Sequence, residues 1–147
     1  MRYIMIMMLR PDAETEAPAI PDSQAMATMG RYNEELVQAG VLLSLDGLRP
    51  TAEGGRLYFQ KGSAPAVWKD GPFTETKEIV GGFWLIQVKS HEEAVSWARR
   101  VPKTSDKIEA YVELRRVFEM EDFSLDAQSE LAEQAQKISQ GLAKDPS

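Results

Sequence analysis

Two stretches of the sequence decide the fold: residues 79–88, IVGGFWLIQV, and residues 1–9, MRYIMIMML. Both are short and almost wholly apolar, and they fall well below the ~18 apolar residues that a membrane-spanning helix needs. Aromatic and branched side chains such as those of residues 79–88 favour strands. A strand without polar alternation is typical of the middle of a sheet, where both faces are covered. We therefore expect residues 1–9 to form a central strand and residues 79–88 to form a strand.

Two helices are predicted beside these strands. From Asp22 onward apolar residues recur at helical spacing, and Gly40 follows where a left-handed residue commonly ends a helix. Ser90 and Glu93 match a capping box, in which the two side chains bond each other's backbone amides, so a second helix should begin there. Pro102 cannot continue that helix, which should therefore end before it.

The remaining elements are predicted from local periodicity and turn residues. Short strands are expected at residues 41–48, 56–60 and 66–69, which would form a meander, and residues 12–21 should be a loop. Residues 109–118 alternate between apolar and polar side chains, which is typical of a half-buried strand.

Two polar or small positions of the first helix interrupt its apolar stripe. Gly30 would allow a close approach to the sheet because it has no side chain. Asn33, if buried, must be hydrogen-bonded, and the backbone of a neighbouring strand is the expected partner. The pair predicts a tight contact between helix and sheet.

The order of elements indicates the fold class. Strand, helix, strands, strand, helix and strand match the ferredoxin-like split βαβ plan of an α+β protein, with both helices on one face of the sheet. The last strand gives the other face Tyr111, Glu113 and Arg115 beside apolar neighbours. Two subunits that stack these faces would form a closed α+β barrel around a partly polar cavity. We therefore expect a homodimer.

The C-terminal part differs in charge from the rest. Residues 119–147 carry 7 acidic and 2 basic side chains, against 16 and 15 in residues 1–118. A narrow apolar stripe, formed by Leu131, Ala135, Ile138 and Leu142, predicts an appended helix that begins near Ser124 or Asp126. The sequence thus predicts a domain over residues 1–123 and an acidic helical extension over residues 124–147.

Composition excludes several functions. The length of 147 residues fits one domain, and the chain has no cysteine and one histidine, His91. Thiolate zinc sites, cysteine nucleophiles and centres with several histidines are therefore excluded, and we expect no metal and no cofactor. Residues 1–118 are nearly neutral and lack a basic stripe, so neither nucleic acid nor a membrane is an expected partner. The start lacks the features of a signal peptide, and the expected location is the cytoplasm.

The most specific motif is at residues 70–78, DGPFTETKE, and it is followed at residues 81–88 by GGFWLIQV. Supporting segments occur in order along the chain: GRYNEEL at 30–36, AGVLL at 39–43, GL at 47–48 and VFEMEDF at 117–123. A motif of this length is far more specific than a lone glycine motif. Together the segments resemble the DGPF subgroup of the YCII-related family over residues 1–123.

The resemblance implies a dimeric ferredoxin-like α+β barrel. YCII-like proteins are thought to place a His–Asp pair in a cavity, and a few act on small molecules such as chlorinated aromatic intermediates. The predicted first helix of this chain, residues 22–39, contains no histidine. DGPF proteins are also associated with extracytoplasmic-function sigma factors through gene context. The resemblance therefore implies regulation, with a functional link to such a sigma factor, as readily as catalysis.

Asp70, at the head of the motif, has two interpretations. At a strand end before Gly-Pro it can accept hydrogen bonds from the turn amides, which is a structural role. Alternatively it points into the cavity and serves as a general base or a ligand anchor. Glu75, Lys77 and Glu78 would then supply a second acid or a charge clamp, although such charged residues are more often solvated.

Further candidates are one arginine and several aromatic residues. Arg49 is placed to reach an anionic ligand, and the alternative is an ordinary surface arginine. Phe73, Phe83 and Tyr111 would line the cavity, or belong to the core as aromatics near a sheet usually do. Two functions stay open: a homodimer that binds a small molecule, and an enzyme of the lyase or hydrolase type that uses Asp70 for acid-base chemistry on a small organic substrate.

Overall fold

The computed structural model describes residues 1–10, 22–73, 77–103, 105–106 and 108–141. The predicted loop at residues 12–21 and the candidate Glu75 lie outside the described residues. The chain divides into two compact units, Met1–Arg116 and Val117–Ser147. No helix in the described part combines the length and the apolar character that a membrane span requires.

The first unit is an α+β structure, as predicted. Its elements are β1 (Arg2–Arg10), α1 (Ser23–Gln38), β2 (Leu42–Gly47), β3 (Gly55–Tyr58), β4 (Val67–Asp70), β5 (Ile79–Gln87), α2 (His91–Arg99) and β6 (Glu109–Arg116). Four strands form an antiparallel sheet in the order β2-β5-β1-β6. Strand β1 is central, as predicted, and β5, which the sequence predicts only as a strand, is the other central strand. Strands β2 and β6 are its edges, so the described strands of one chain form an open sheet and not a closed barrel.

The predicted meander is wrong. Strands β3 and β4 pair only with each other, as a separate antiparallel hairpin, while β2 pairs with β5. The physical reason is that β2 has apolar side chains to bury against β5, and β4 does not. Strand β2 can place Leu42 and Leu45 beside the buried Ile86 and Trp84 of β5, whereas every residue of β4 is exposed and offers no face to bury.

Both helices pack on the same face of the sheet, as predicted. The core is a single cluster of buried side chains: Tyr3, Met5, Met7, Leu9, Tyr32, Leu36, Val41, Trp84, Ile86, Val88 and Ala94. Leu36 comes from α1 and Ala94 from α2, and Met5 and Ile86 beneath them are fully buried. Burial of these side chains fixes the sheet register, because a slip by one residue would turn them away from the helices.

Gly40 after α1 and Ser90 before α2 mark helix ends as predicted, and Asp22 provides a cap that the sequence reasoning did not name. The Asp22 carboxylate accepts a hydrogen bond from the Ala25 amide at 2.8 Å, and Gly40 follows α1 with a φ of 71°. The Ser90 hydroxyl accepts one from the Glu93 amide at 3.1 Å. The Glu93 carboxylate accepts from the Lys89 amide at 2.8 Å and not from the Ser90 amide, so this half of the predicted capping box is shifted by one residue.

The opposite face of the sheet, here called the second face, is mixed in polarity. Because side chains alternate along a strand, the buried Tyr3 and Met5 place Ile4, Ile6 and Met8 on this face. Directly paired residues share a face, and the register adds Val80, Phe83, Leu85, Glu109, Tyr111, Glu113 and Arg115. The central apolar side chains are partly exposed. The predicted arrangement of Tyr111, Glu113 and Arg115 beside apolar neighbours is therefore confirmed.

The second unit holds α3 (Leu125–Gly141), which follows a short 3-10 turn at Met120–Asp122. The Ser124 hydroxyl accepts a hydrogen bond from the Ala127 amide at 3.3 Å, so the helix starts where the sequence predicts. None of its described residues is buried, and Leu142 of the predicted stripe lies outside the described residues. The division at residue 123 stays a prediction.

Candidate functional site

Four polar side chains converge at one end of the second face. The Tyr111 hydroxyl donates to Glu78 Oε2 at 2.9 Å, and Arg10 donates to Glu78 Oε1 from Nε and Nη2 at 3.3 and 3.1 Å. Arg10 Nη1 also bonds Glu109 Oε1 at 3.2 Å, and the guanidinium lies 5.3 Å from the centre of the Tyr111 ring. We call Arg10, Glu78, Glu109 and Tyr111 the Glu78 cluster.

Three strands position the Glu78 cluster. Arg10 is the last residue of β1 and faces Glu109, the first residue of β6, while Tyr111 faces Met8. Glu78 immediately precedes β5, the strand on the other side of β1. The antiparallel register therefore brings together residues that are 68 and 33 positions apart in the chain.

A bulge lies next to this convergence. Met7 pairs with Gly82 and Met8 with Val80, so Gly81 is the extra residue of β5. A side chain at Gly81 would come within 2.7 Å of the Leu9 side chain, and one at Gly82 within 2.8 Å of the Asp46 carbonyl oxygen. The two glycines of the GGFW segment thus allow a bend and a close strand contact beside the cluster.

The electrostatics of the cluster keep its donors protonated. The hydrogen bond to Glu78 raises the pKa of Tyr111, and burial and the Glu78 charge add to this effect. The same carboxylate, followed by the charge of Glu109, raises the pKa of Arg10. At neutral pH the cluster therefore presents a hydroxyl donor and a guanidinium beside the side chains of Glu78 and Glu109. The side chains of Arg10 and Glu78 are 44% and 41% exposed, so a ligand can reach them.

Phe83 lies on the same face, in its apolar centre. It pairs with Ile6 on one side and with Asp46 on the other, and Tyr111 lies on the far side of β1. Two strand spacings of about 4.8 Å separate the strands of Phe83 and Tyr111. An apolar floor thus borders the Glu78 cluster.

Asp70 lies apart from this cluster, on the β3–β4 hairpin. It is exposed, pairs with Gly55, and accepts a hydrogen bond from Trp68 Nε1 at 2.7 Å. The amides that follow it bond elsewhere, Gly71 to the Gly54 carbonyl and Phe73 to the Thr51 hydroxyl. Among the described residues, Asp70 therefore bonds a side chain of its own strand rather than the turn amides.

The other predicted site residues are not members of the Glu78 cluster. The Arg56 guanidinium stacks 3.9 Å from the centre of the Phe73 ring. Arg49 forms an ion pair with Glu53, with Nη2 to Oε1 at 3.0 Å, which raises the pKa of Arg49 and lowers that of Glu53. The charge of Arg49 is thus already balanced. Lys77 is exposed.

Sequence reasoning missed two members of the Glu78 cluster, Arg10 and Glu109. Their signal is positional, since each stands at the end of a predicted strand.

Asn33 accepts a hydrogen bond from Trp84 Nε1 at 2.8 Å, so its partner is a side chain and not the backbone. No group of three or more metal-binding side chains occurs among the residues that the structure describes.

The fold and the site together define a class of small α+β proteins. Both helices lie on one face of an antiparallel sheet, and a polar cluster lies at one end of its opposite face. The chain belongs to the YCII-related family, because the model of the YCII-related domain matches residues 1–121. It is 32% identical over 90 residues to the Uncharacterized protein R00369 of Rhizobium meliloti (strain 1021), which covers 61% of this chain and 71% of that protein. The predicted family is confirmed, and the DGPF subgroup stays a prediction.

Proposed function

We propose that the protein is a homodimer that binds a small organic molecule between two stacked second faces. The observation that carries this proposal is the position of the Glu78 cluster, at the edge of a partly exposed apolar floor. The strand order β2-β5-β1-β6 supports a ferredoxin-like fold, in which such stacking gives a dimeric α+β barrel. Asp70, at the end of the hairpin, and Phe73, three residues after it, would complete the entrance to the cavity.

The composition of the second face supports dimerisation. Ile6, Phe83 and Leu85 keep part of their surface exposed, although they lie in the middle of a sheet. Covering such a face stabilises a protein in proportion to the apolar area removed from water. A second copy supplies a surface of the same size and character, and a specific dimer would bury roughly 1,200–2,000 Å² in total.

The chemistry of the Glu78 cluster indicates the kind of ligand. A tyrosine hydroxyl and a guanidinium donate hydrogen bonds, while Glu78 and Glu109 accept them. Phe83 and its neighbours offer an apolar surface. This combination suits a small organic molecule with an apolar body and a hydroxyl or carbonyl group at one end.

A binding role is favoured over an enzyme of the lyase or hydrolase type. The raised pKa of Tyr111 makes its hydroxyl a donor rather than a base at neutral pH. Asp70 is the alternative base, since its exposed carboxylate retains acceptor positions beyond the bond from Trp68. Acid-base chemistry with Asp70 is therefore the second candidate function. A regulatory role linked to an extracytoplasmic-function sigma factor is compatible with the binding proposal.

The dimer is tested by light scattering at micromolar concentration. We expect a dimer mass for the natural sequence and a monomer mass for Phe83→Asp, because a carboxylate in the centre of the second face would be desolvated. The matched control is Phe59→Asp, since Phe59 is 83% exposed and lies outside the sheet. A monomer mass for the natural sequence contradicts the proposal.

Ligand binding is tested by non-denaturing mass spectrometry of the purified dimer, followed by identification of retained molecules. Glu78→Gln and Asp70→Asn should both reduce retention. Asparagine still accepts the bond from Trp68, so Asp70→Asn should change the free energy of unfolding by about 1 kcal/mol or less. If Asp70→Asn costs several kcal/mol and retention is unchanged, Asp70 is a structural residue and leaves the site. Retention that is insensitive to Glu78→Gln would exclude the Glu78 cluster.

A further inference from the structure

A groove on the helix side of the sheet is lined by apolar side chains and two cations, and so differs in chemistry from the second face. It lies between α2, the segment after it, and β6, and its volume is about 460 Å³. This volume is within the ~300–1,000 Å³ range of small-molecule sites. Tyr111 borders the groove, but the Glu78 cluster takes no other part in it.

The floor of the groove is apolar and fixed by the core. Met7 is buried, and Ala98, Val101, Val112 and Leu114 pack against the core cluster. Side chains held in this way keep their rotamers when a ligand enters, so little conformational entropy is lost on binding. The floor is therefore preorganised for an apolar body.

Two cations stand at the rim, and no carboxylate is among the described residues that line the groove. Arg99 ends α2, and Lys103 follows Pro102. Lys103 is bonded to Asp106 at 3.0 Å, but the two side chains are 64% and 95% exposed. Such a surface pair contributes little and exchanges easily with a competing anion.

Arg99 and the next residue, Arg100, differ in their ion pairs. Arg100 forms an ion pair with Glu35 and lies 4.5 Å from the centre of the Trp97 ring. Arg99 forms no ion pair with another described residue. A cation in the last turn also complements the helix dipole, which by itself explains an arginine at this position but not the apolar groove beside it.

We propose that this groove is a second ligand site, specific for an amphipathic organic carboxylate whose aromatic or short aliphatic body rests on the apolar floor. Arg99 and Lys103 bind the carboxylate. The protein as a whole carries a net charge of −6, so the preference for an anion originates in this local pair of cations. The site does not require the dimer or the Glu78 cluster.

The test is a titration of the full-length ¹⁵N-labelled protein with 2-naphthoate, followed by amide chemical shifts. We expect saturable shifts in α2 and β6. The neutral analogue 2-naphthylmethanol has the same rings and should bind roughly tenfold or more weakly, as expected when a charge-assisted hydrogen bond is lost. Added salt should weaken the binding of naphthoate and leave that of the alcohol nearly unchanged.

Variants test the cationic rim and the apolar floor of the proposed site separately. Arg99→Gln should weaken naphthoate binding roughly tenfold, while Arg116→Gln, a charge removal on β6 away from the groove lining, should not. Ala110→Phe should fill the groove and abolish binding, and Ala52→Phe, at an exposed residue outside it, is the matched control. The amide spectrum of each variant reports its folding. Equal affinity for acid and alcohol, or unchanged affinity in Arg99→Gln, would overturn the proposal.

Discussion

The Tyr111 hydroxyl of β6 lies 2.9 Å from Oε2 of Glu78, the residue that precedes β5. This bond spans the end of β1, whose last residue, Arg10, holds the other oxygen of the same carboxylate. Glu78 therefore shares its charge between a phenol and a guanidinium. The pKa of Tyr111 therefore depends on the Glu78 carboxylate.

Glu78→Gln should lower the pKa of Tyr111 toward its ordinary value of about 10. The bond to the carboxylate is the largest cause of the raised pKa, and an amide accepts a weaker bond without the negative charge. The measurement is NMR of ¹³C-labelled tyrosine rings between about pH 8 and about pH 12, the range in which tyrosines ionise.

Two controls give the sign and the size of this effect. Glu113→Gln removes a smaller cause of the same sign, so the pKa of Tyr111 should fall by less. Arg10→Gln removes a charge that lowers the pKa, so the pKa should rise further unless the bond to Glu78 is lost. If Glu78→Gln leaves the titration of Tyr111 unchanged, the bond does not persist in solution.

Gly82→Ala should destabilise the protein, whereas Gly30→Ala should not. A methyl group at Gly82 would lie 2.8 Å from the Asp46 carbonyl oxygen and 3.3 Å from the Gly47 Cα, and neither backbone atom can move without opening the β2–β5 pairing. The expected loss is about 1–3 kcal/mol, typical of overpacking. A methyl group at Gly30 meets no atom of the described residues within 4 Å.

Gly30→Ala is therefore the matched control and should gain up to about 1 kcal/mol, the difference in helix propensity. Urea denaturation of both variants gives the comparison. A destabilised Gly30→Ala would mean that a contact of α1 is missing from the structure. A neutral Gly82→Ala would mean that the pairing of β2 with β5 is looser than its register indicates.

The Gly30 prediction shows where sequence reasoning failed. A glycine inside a helix is compatible with close packing and equally with open space, and local sequence does not distinguish them. The prediction of a tight contact at Gly30 is wrong. Capping at Asp22 and Ser90 was predictable, because those bonds join residues three positions apart.

Individual residues of the site could be predicted from the sequence, but the contacts between them could not. Glu78 and Tyr111 could be named from the motif and from strand alternation, but their contact depends on two strand registers that are set by the packing of the whole core. The partner of Asp70 is a different case. Trp68 lies two residues earlier in the same strand, on the same face, and alternation alone would have identified it as a neighbour.

Deletion of residues 124–147 should leave a folded protein with a cooperative thermal transition. The described part of α3 buries no residue, and Leu125 and Ile138 are 79% and 61% exposed. A helix with so little buried apolar area contributes little to the free energy of unfolding. Calorimetry of the truncated and full-length chains checks this, and loss of the transition on truncation would make the helix part of the core.

Tyr32 connects the two helices and should make stability depend on alkaline pH. It is 4% exposed, and its hydroxyl donates to the Trp97 carbonyl of α2 at 2.9 Å. Burial raises the pKa of Tyr32 to about 12, against the opposing charge of Arg100. Between pH 10 and pH 12 the folded chain therefore keeps a proton that the unfolded chain loses, and the free energy of unfolding falls as the pH rises through this window.

Tyr32→Phe should lose about 1 kcal/mol at neutral pH, the net contribution of one hydrogen bond. Because the variant has no phenol to ionise at this position, its stability should decline less steeply above pH 10, the ordinary pKa of the group. The difference between the two proteins should therefore shrink as the pH rises. Urea denaturation at a series of pH values gives both slopes, and parallel curves for the natural protein and Tyr32→Phe would show that Tyr32 ionises as readily in the folded chain as in the unfolded one.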